Sequence, residues 1–362
     1  MLITLLVFLA IIALLVFVHE LGHFLVAKWN GVVVEEFAFG FKPRIWGKKI
    51  GETFYAINAV PLGGYVKMLG EGDDAAGPGS FKSKTIFQRF QVMVAGAVMN
   101  LLLGWVLLTI LFWVGFQPLF PGVAKDPFVH QTSTVLVTGV SAGSPAQTAG
   151  LKAGDQIVAI NGEKSATAQE FIASVGSFLG QPVNLTVKEN NVAKTVVVTP
   201  RVHPPAGQGA IGVALTSSGN VKAGLLAAPA AAIYETGRII GLSVAGFGHF
   251  VATLVAHQRV SQDVTGLVGV GVLTGVARRL GLTYLAQLVV MITIGLGVIN
   301  LLPILPLDGG QIVALGYEKA AGRPLNEKQL NALVAIGLGI VLLLFVVVTY
   351  KDIVRFNIFQ RI

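Results

Sequence analysis

The stretch FVHELGHFLVAKW, residues 17–29, places ionisable side chains inside an apolar run. Residues 2–18 carry no charge, and apolar residues resume after His23. Ionisable groups at membrane depth are costly and rare, and those that occur almost always have a partner or a function. This stretch therefore predicts a functional centre in the interior of a membrane protein.

The composition of the 362-residue chain is that of an integral membrane protein. Hydrophobic residues make up 54% and charged residues 12%, whereas an ordinary soluble domain carries about twice that charge. The absence of cysteine excludes a thiol nucleophile, a disulfide framework and a Cys-ligated metal. The net charge of +8 comes without an aromatic-interleaved basic patch, so we expect no nucleic-acid partner. We interpret the basic residues as determinants of membrane topology.

Four segments are long and apolar enough to cross a bilayer, which takes about 20 residues. The predicted spans are residues 2–27, 90–115, 284–305 and 330–350. Basic residues follow the first span, beginning at Lys28, and also occupy the link between the third and fourth spans. The positive-inside rule then predicts that these segments are cytoplasmic and that both termini lie outside.

Residues 239–256 are a fifth apolar segment, nearly free of charge except for His249. Their glycines and the preceding Glu235 and Arg238 leave two interpretations open at this point. One is a fifth span, and the other is an interfacial helix within about 226–257.

Two connections contain β-type patterns. Between the second and third spans, residues 126–216 alternate short β-type runs with Gly, Pro and Asp turns. Within them, residues 181–200 predict a hairpin with Glu189, Asn190 and Asn191 at its turn. In the first connection, alternating runs flank residues 61–64, Pro-Leu-Gly-Gly, and predict a hairpin with one exposed edge.

His19 and His23 are four residues apart, so both imidazoles leave the same face of a helix. This spacing allows both to bind one Zn²⁺, with Glu20 beside them as the candidate general base. The alternative is a pair of core histidines hydrogen-bonded to neighbouring helices, although a charged Glu between them makes that arrangement more costly.

A catalytic zinc usually has three protein ligands, so a third ligand is expected. Glu35 and Glu36 are candidates, but they lie past the end of the first span. Asp308 is the better candidate, because Pro303 and Pro306 break the preceding apolar helix and a carboxylate in such a buried break needs a cation. The alternative is a solvated Asp at a helix end.

Topology links the metal site to the number of spans. With four spans, the first and third run in the same direction, which brings the histidines and Asp308 to matching depth. If residues 239–256 also crossed the membrane, Asp308 would lie on the order of 20 Å from the histidines, whereas zinc bonds are about 2 Å long. The metal site therefore favours four spans.

At these residues the sequence resembles the site-2 protease family of intramembrane zinc metalloproteases, in particular its bacterial branch of regulator-of-sigma-E (RseP-like) proteases. Residues 19–23, HELGH, match its H-E-x-x-H motif, and residues 300–309 match its N-x-x-P-x-x-x-L-D-G motif. Gly96 and Asn100 fit a G-x-x-x-N motif, and residues 51–68 resemble its membrane-reentrant β-hairpin.

Residues 150–155 and 157–162 resemble a PDZ domain of the bacterial, circularly permuted type. Residues 209–215 would supply its final strand, with Gly209, Ile211 and Gly212 in the peptide groove. The alternative is a docking or steric module that binds no peptide.

The resemblance implies an α-helical polytopic membrane protein. It would have four transmembrane helices, a membrane-reentrant β-hairpin and one inserted extracytoplasmic PDZ domain. The implied domains are a first membrane part (residues 1–118), the PDZ domain (residues 126–216) and a second membrane part (residues 217–362). The implied location is the bacterial inner membrane, with the active site toward the cytoplasmic side.

The resemblance also implies a zinc metalloendopeptidase with one Zn²⁺ per chain. His19, His23 and Asp308 would bind the metal, Glu20 would be catalytic, and the implied substrate contacts are Asn300, Pro303, Gly63, Gly64 and Tyr65. The implied reaction cuts a single-span membrane protein within or near its transmembrane segment, in the lipid bilayer. It would be the second cut in regulated intramembrane proteolysis, for example of a membrane-bound anti-sigma factor.

Three other functions fit parts of the sequence. Broken helices with intramembrane ionisable groups also occur in transporters and channels. A catalytically inactive scaffold with a structural metal is a second alternative, and a membrane-anchored soluble-type zincin is a third. The chain also departs from the resemblance, because it has room for one PDZ domain instead of two and carries Gln311, Ala97 and Leu267 at motif-adjacent positions.

Overall fold

The computed structural model describes residues 2–71, 77–119, 123, 126–164, 167–189, 192–205, 207–257 and 265–356. The chain forms two compact units, residues 1–111 with 229–362 and residues 112–228. The described elements, in chain order, are α1 (Leu2–Trp29), β1 (Val34–Ile50), β2 (Thr53–Met68), α2 (Ile86–Val114), β3 (His130–Val140), α3 (Pro145–Thr148), β4 (Gln156–Ile160), β5 (Glu163–Lys164), α4 (Ala168–Gly176), β6 (Val183–Glu189), β7 (Val192–Val198), β8 (Val213–Lys222), α5 (Ala227–His257), α6 (Leu267–Leu280), α7 (Leu282–Asn300), α8 (Asp308–Ala321) and α9 (Glu327–Arg355).

Four of the described helices, α1, α2, α7 and α9, are long and apolar enough to cross a membrane by length and composition. The third predicted span is too long, because α7 ends at Asn300 and residues 301–307 form a turn around the two prolines. A further helix, α8, begins at Asp308. The sequence predicted a break in the preceding helix here but not the start of a new one. Helix α5 covers the segment predicted at about 226–257 and is not among the four.

Glycines allow the long helices of the first unit to approach closely. A Cβ at Gly22 of α1 would lie 2.7 Å from Cγ of Met99 and 2.8 Å from the carbonyl carbon of Ala95, both on α2. A Cβ at Gly104 of α2 would lie 2.6 Å from a side-chain atom of Ile294 on α7. Small residues at such crossings bring backbones together, which is how transmembrane helices pack without a hydrophobic driving force between them.

The strands β1 and β2 form a folded hairpin beside α1. Residues 36–39 pair with 64–67 and also with 54–57, and the outer edge of residues 64–67 has no strand partner among the described residues. Residues 54–57 and 64–67 run in opposite directions on the two sides of residues 36–39, so the chain reverses between residues 57 and 64, where the turn at residues 61–64 was predicted. The chain also turns at Gly51, whose φ is +61°. Gly63 is needed for packing as well, because the ring of Phe41 occupies the space of a Cβ.

The second unit is an antiparallel sheet in the order β7-β6-β4-β3-β8, with β5 beside β4. Its core is a cluster of apolar side chains from the sheet and α4, including Val135, Ile157 and Phe171. The predicted hairpin is present as β6 and β7, while its turn residues Asn190 and Asn191 lie outside the described residues. The final strand begins at Val213, so residues 209–212 precede it and the predicted strand at 209–215 starts too early.

Candidate metal centre

Three ionisable side chains from two distant parts of the chain meet in the first unit. The Nε2 atoms of His19 and His23, one turn apart on α1, lie 3.2 Å from each other. Oδ2 of Asp308, the first residue of α8, lies 3.2 Å from Nε2 of His19 and 3.5 Å from Nε2 of His23. Both histidines are buried, and Asp308 is mostly shielded from solvent.

The triangle formed by these three atoms has the size of one face of a tetrahedral zinc site. Zinc–nitrogen and zinc–oxygen bonds of about 2.0–2.1 Å place neighbouring ligand atoms about 3.3–3.4 Å apart. The observed edges of 3.2, 3.2 and 3.5 Å bracket that separation. Two imidazoles and one carboxylate, with a fourth position left open, are the ligand set typical of a catalytic zinc.

Gly96 of α2 leaves the space beside this triangle open. A Cβ at this position would lie 2.6 Å from Cε1 and 2.7 Å from Nε2 of His19, and closer still to Nε2 of His23. Any side chain here would displace the two imidazoles. The glycine is thus required by the site and not by the backbone conformation of the helix.

The far nitrogen of each imidazole has a partner on α2. Nδ1 of His23 lies 2.8 Å from the backbone oxygen of Val92, so Nδ1 carries the proton and Nε2 is free to bind a metal. Nδ1 of His19 lies 3.3 Å from the side-chain amide of the fully buried Asn100. The amide of Asn300 is a further neighbour, 3.4 Å from both ring nitrogens of His19.

A tightly folded turn positions Asp308. Cβ atoms at Gly309 and Gly310 would overlap the backbone of residues 301–305, so the turn packs directly against the first residues of α8. Arg89 of α2 also donates two hydrogen bonds to Glu318 of α8, of 3.0 and 2.6 Å. The helix that carries Asp308 is therefore fixed both at its start and, by a bidentate ion pair, along its length.

A cavity of about 160 Å³ opens beside the triangle of His19, His23 and Asp308. It is lined by His19, Glu20, His23, Tyr65, Val66, Met68, Glu71, Met93, Asp308 and Gln311. Glu20 accepts a hydrogen bond from the backbone N–H of Val66 in β2. Its Cγ lies 3.1 Å from the Cβ position of Gly64, so the candidate base lies against the unpaired edge of the hairpin.

The other predicted site residues lie in several places. Tyr65 lines the cavity, whereas Gly63 is covered by Phe41. Pro303 lines a different cavity of about 330 Å³, between α8 and α9.

The predicted groove residues belong to the second unit. Ile211 is buried in its core, and Gly212 has a φ of +74° and packs against Ser144. Gly209 precedes β8 in the loop of residues 209–212.

Five cavity residues were not among the predicted site residues: Val66, Met68, Glu71, Met93 and Gln311. Gln311 lies three residues after Asp308 on α8, a spacing that does predict a shared helix face. Glu71 follows β2 with no local pattern to mark it. Burial raises the pKa of the Glu71 carboxyl to about 7.

The long apolar helices and the buried H-E-x-x-H centre define a membrane-embedded metal-dependent hydrolase. A model of peptidase family M50 matches residues 7–344. A putative zinc metalloprotease of Clostridium acetobutylicum is 33% identical over 94% of this chain and 94% of its own length. The zinc metalloprotease RasP of Geobacillus kaustophilus is 28% identical over 96% of this chain and 97% of its own.

The chain belongs to peptidase family M50, the site-2 protease family, and it is a zinc metalloprotease. This confirms the resemblance found in the sequence and the expected cofactor. The family is membrane-embedded and acts on membrane substrates.

A PDZ domain of an SdrC-like protein from Listeria monocytogenes matches 22% of this chain and 85% of its own length at 29% identity, with a TM-score of 0.21.

Proposed function

We propose that this protein hydrolyses a peptide bond within or near the transmembrane segment of single-span membrane proteins. The observation that carries the proposal is the triangle of His19, His23 and Asp308, whose edges of 3.2, 3.2 and 3.5 Å suit one zinc ion. All three residues belong to helices or turns of the unit that contains the apolar helices. The metal ligands would therefore lie at membrane depth.

The chemistry divides between the metal and the residues around it. His19, His23 and Asp308 would hold the zinc ion, which would polarise the scissile carbonyl and acidify the attacking water. Glu20 removes a proton from that water and later donates it to the leaving amine. Its hydrogen bond from Val66 fixes the carboxylate beside the ligand triangle.

The unpaired edge of β2 supports a second part of the proposal. A peptide bond in a helix is already hydrogen-bonded, so the substrate must be unwound before it is cut. Residues 64–67 present a free strand edge next to Glu20, and strand addition there holds an extended segment through its backbone, whatever its sequence. Tyr65 and Gly64 would contact this segment, with Asn300 on the other side of His19.

We assign less direct roles to two other predicted contacts. Pro303 lines the cavity behind α8, so it would shape the turn that positions Asp308. Gly63 would keep the hairpin flat against Phe41.

We retain the organisation proposed from the sequence, with two membrane parts (residues 1–118 and 217–362), four spans, a membrane-reentrant hairpin and a PDZ domain at residues 126–216. The end of the PDZ domain moves, because its last strand, β8, runs on to Lys222 and the second unit covers residues 112–228. The PDZ domain and both termini lie outside the bacterial inner membrane, with α5 at the interface. The PDZ domain either admits only substrates that another protease has already shortened, or binds a peptide through Gly209, Ile211 and Gly212. In both cases this enzyme makes the second of two cuts, for example in an anti-sigma factor.

The experiment that tests this function uses protein purified in detergent and a panel of single-span segments. The wild type is expected to bind about one zinc per chain and to cut at least one segment. Glu20→Gln is expected to retain zinc and to cut at least about 100-fold more slowly, because general acid–base catalysis contributes about 10²–10⁴-fold. Glu163→Gln, at an exposed carboxylate of β5, is the matched control.

Two results contradict the proposal. One is a wild type that holds zinc and leaves every segment intact. The other is a Glu20→Gln variant that cuts as fast as the wild type.

A further inference from the structure

Glu71 borders two cavities of the first unit. One is the chamber of about 160 Å³ at the metal ligands, and the other is a cavity of about 300 Å³ with mostly apolar walls. Both are lined by Glu71, Met93 and Gln311, so they adjoin at these three side chains. The larger cavity continues along α8 to Leu325 and Leu330 near the start of α9.

The carboxylates around the chamber exceed what the metal needs. The charge of a zinc ion is balanced by Asp308 and Glu20, which leaves Glu71 as a third carboxylate. Among the residues that the structure describes, no Lys or Arg forms an ion pair with Glu71, and its carboxylate accepts one hydrogen bond, from the backbone N–H of Met68. A partly buried carboxylate without a cation is unfavourable, since burial penalises the charged form.

Peptide hydrolysis produces a cation in this chamber. The water oxygen bonds to the carbonyl carbon, the C–N bond breaks, and one water proton passes through Glu20 to the leaving nitrogen. The second proton leaves the new carboxylic acid and also ends on the amine, so the products are a carboxylate and an ammonium. An α-amino group has a pKa of about 7.7–8.0 and is therefore largely protonated at neutral pH.

We propose that Glu71 binds an alkylammonium group, and that the adjoining apolar cavity receives the side chain next to it. The group is either the new amino terminus of the released fragment or a lysine side chain beside the cleaved bond. This inference rests on the proposed function and adds a binding residue for its product. An ammonium–carboxylate contact in a partly dehydrated chamber discriminates strongly against a neutral group of the same shape.

The test compares the binding of small probes to the zinc-loaded full-length protein in detergent by calorimetry. The probes are leucyl-leucine amide, its N-acetyl derivative, and N-acetyl-lysyl-leucine amide. The wild type is expected to bind the free amine about tenfold or more tightly than its acetylated twin, as for a hydrogen bond to a charged group. Tight binding of the acetylated lysine probe would show that a lysine side chain can also supply the ammonium group. Weak binding of this probe would restrict the site to amino termini.

Variants connect this preference to the carboxylate. Glu71→Gln is expected to bind the free and acetylated probes equally, Glu71→Asp to retain the preference, and Glu163→Gln to behave as the wild type. Zinc content is measured in each variant. The inference is overturned if the wild type does not distinguish the two probes, or if Glu71→Gln still prefers the free amine.

The probes report binding without turnover. A wild type that cuts no membrane segment would refute the proposed function while the comparison of probes still reports on Glu71.

Discussion

The two units bury polar side chains for different purposes. In residues 112–228, the described buried polar side chains are Asp126, Ser144 and Asp155, and each accepts a hydrogen bond from a backbone N–H two or three residues away along the chain. In the first unit, some buried polar side chains also bond within their own helix, as Thr274 does to the backbone oxygen of Val270, but those at the histidines have partners on other helices. Asn100 of α2 contacts His19 of α1, and Thr293 of α7 donates a hydrogen bond of 3.1 Å to the backbone oxygen of Asn100.

This contrast separates the polar groups that stabilise a fold from those that form a site. Local bonds at turns and caps stabilise the second unit around an apolar core. The first unit places histidines and carboxylates together where desolvation makes them costly, and such an arrangement persists when a function requires it. The proposed zinc ligands therefore lie where burial makes ionisable groups costly, and the following changes test this contrast between the two units.

Gly96→Ala is expected to have the largest effect. Its Cβ would occupy the space beside both histidines, so zinc content should fall from about one per chain to less than about a tenth, with loss of cleavage. Gly295→Ala on α7 meets no atom within 4 Å and should retain both. Metal analysis of the purified variants measures this, and a Gly96→Ala protein with full zinc content would refute the described geometry.

Phe171→Ala should affect only the second unit. The ring is 1% exposed in the apolar core, so its removal should cost about 3–5 kcal/mol of local stability. Hydrogen exchange across residues 126–216 measures the loss, and Ile172→Ala, at an exposed neighbour, is the control with a change within about 0.5 kcal/mol. Zinc content should not change, and a parallel loss of zinc would show that the units depend on each other.

Asn100→Leu should weaken zinc binding without abolishing it. The neighbouring side chain orients His19, and loss of such a partner typically costs about 10–100-fold in metal affinity. Asn100→Asp places a carboxylate oxygen beside Nδ1 in place of the amide and should lose less, while Asn184→Leu, exposed on β6, should lose nothing. Competition with a chelator gives the affinities. Wild-type affinity in Asn100→Leu would mean that His19 needs no partner on α2.

The smallest effect is expected at Glu189 of the second unit. Lys194 and then Lys152 lower the pKa of this exposed carboxyl to about 2, from an ordinary value of 4.5. Because the folded pKa is depressed, the contribution of the pair to stability is present above about pH 4.5 and is lost as the pH falls toward 2. The melting temperature of Glu189→Gln should therefore change less than that of the wild type between pH 5 and pH 2.5.

Glu163→Gln is the control for this titration and should follow the wild type. Equal pH dependence of the wild type and Glu189→Gln would exclude a contribution from the pair. The effect remains small because both partners are accessible to solvent.

Local patterns were sufficient to predict the long helices and the three side chains of the candidate metal centre that the structure brings together. The apolar runs are continuous, and the four-residue spacing of His19 and His23 fixes a shared helix face whatever surrounds it. Asp308 was predictable because two prolines break the preceding helix at a carboxylate. These features depend on residues close together in the chain.

Features that depend on distant contacts were not predictable. Residues 61–64 have the composition of a turn and lie where the chain reverses, but this composition did not show that Phe41 and Glu20 also need the space beside Gly63 and Gly64. Glu71 has no local signal, since its cavity forms only when β2, α2 and α8 come together. The beginning of the last strand of the second unit was misplaced for the same reason, because Gly212 packs against Ser144 before the strand starts.

The most direct measurement of the central claim uses the absence of cysteine from the chain. X-ray absorption at the zinc edge is recorded for the wild type and for Asp308→Cys. The wild type should show imidazole nitrogens and oxygen at about 2.0–2.1 Å, and the variant should add one sulfur at about 2.3 Å. Zinc that keeps its imidazole ligands in the variant with no sulfur in bonding range would contradict the assignment of residue 308 as a ligand.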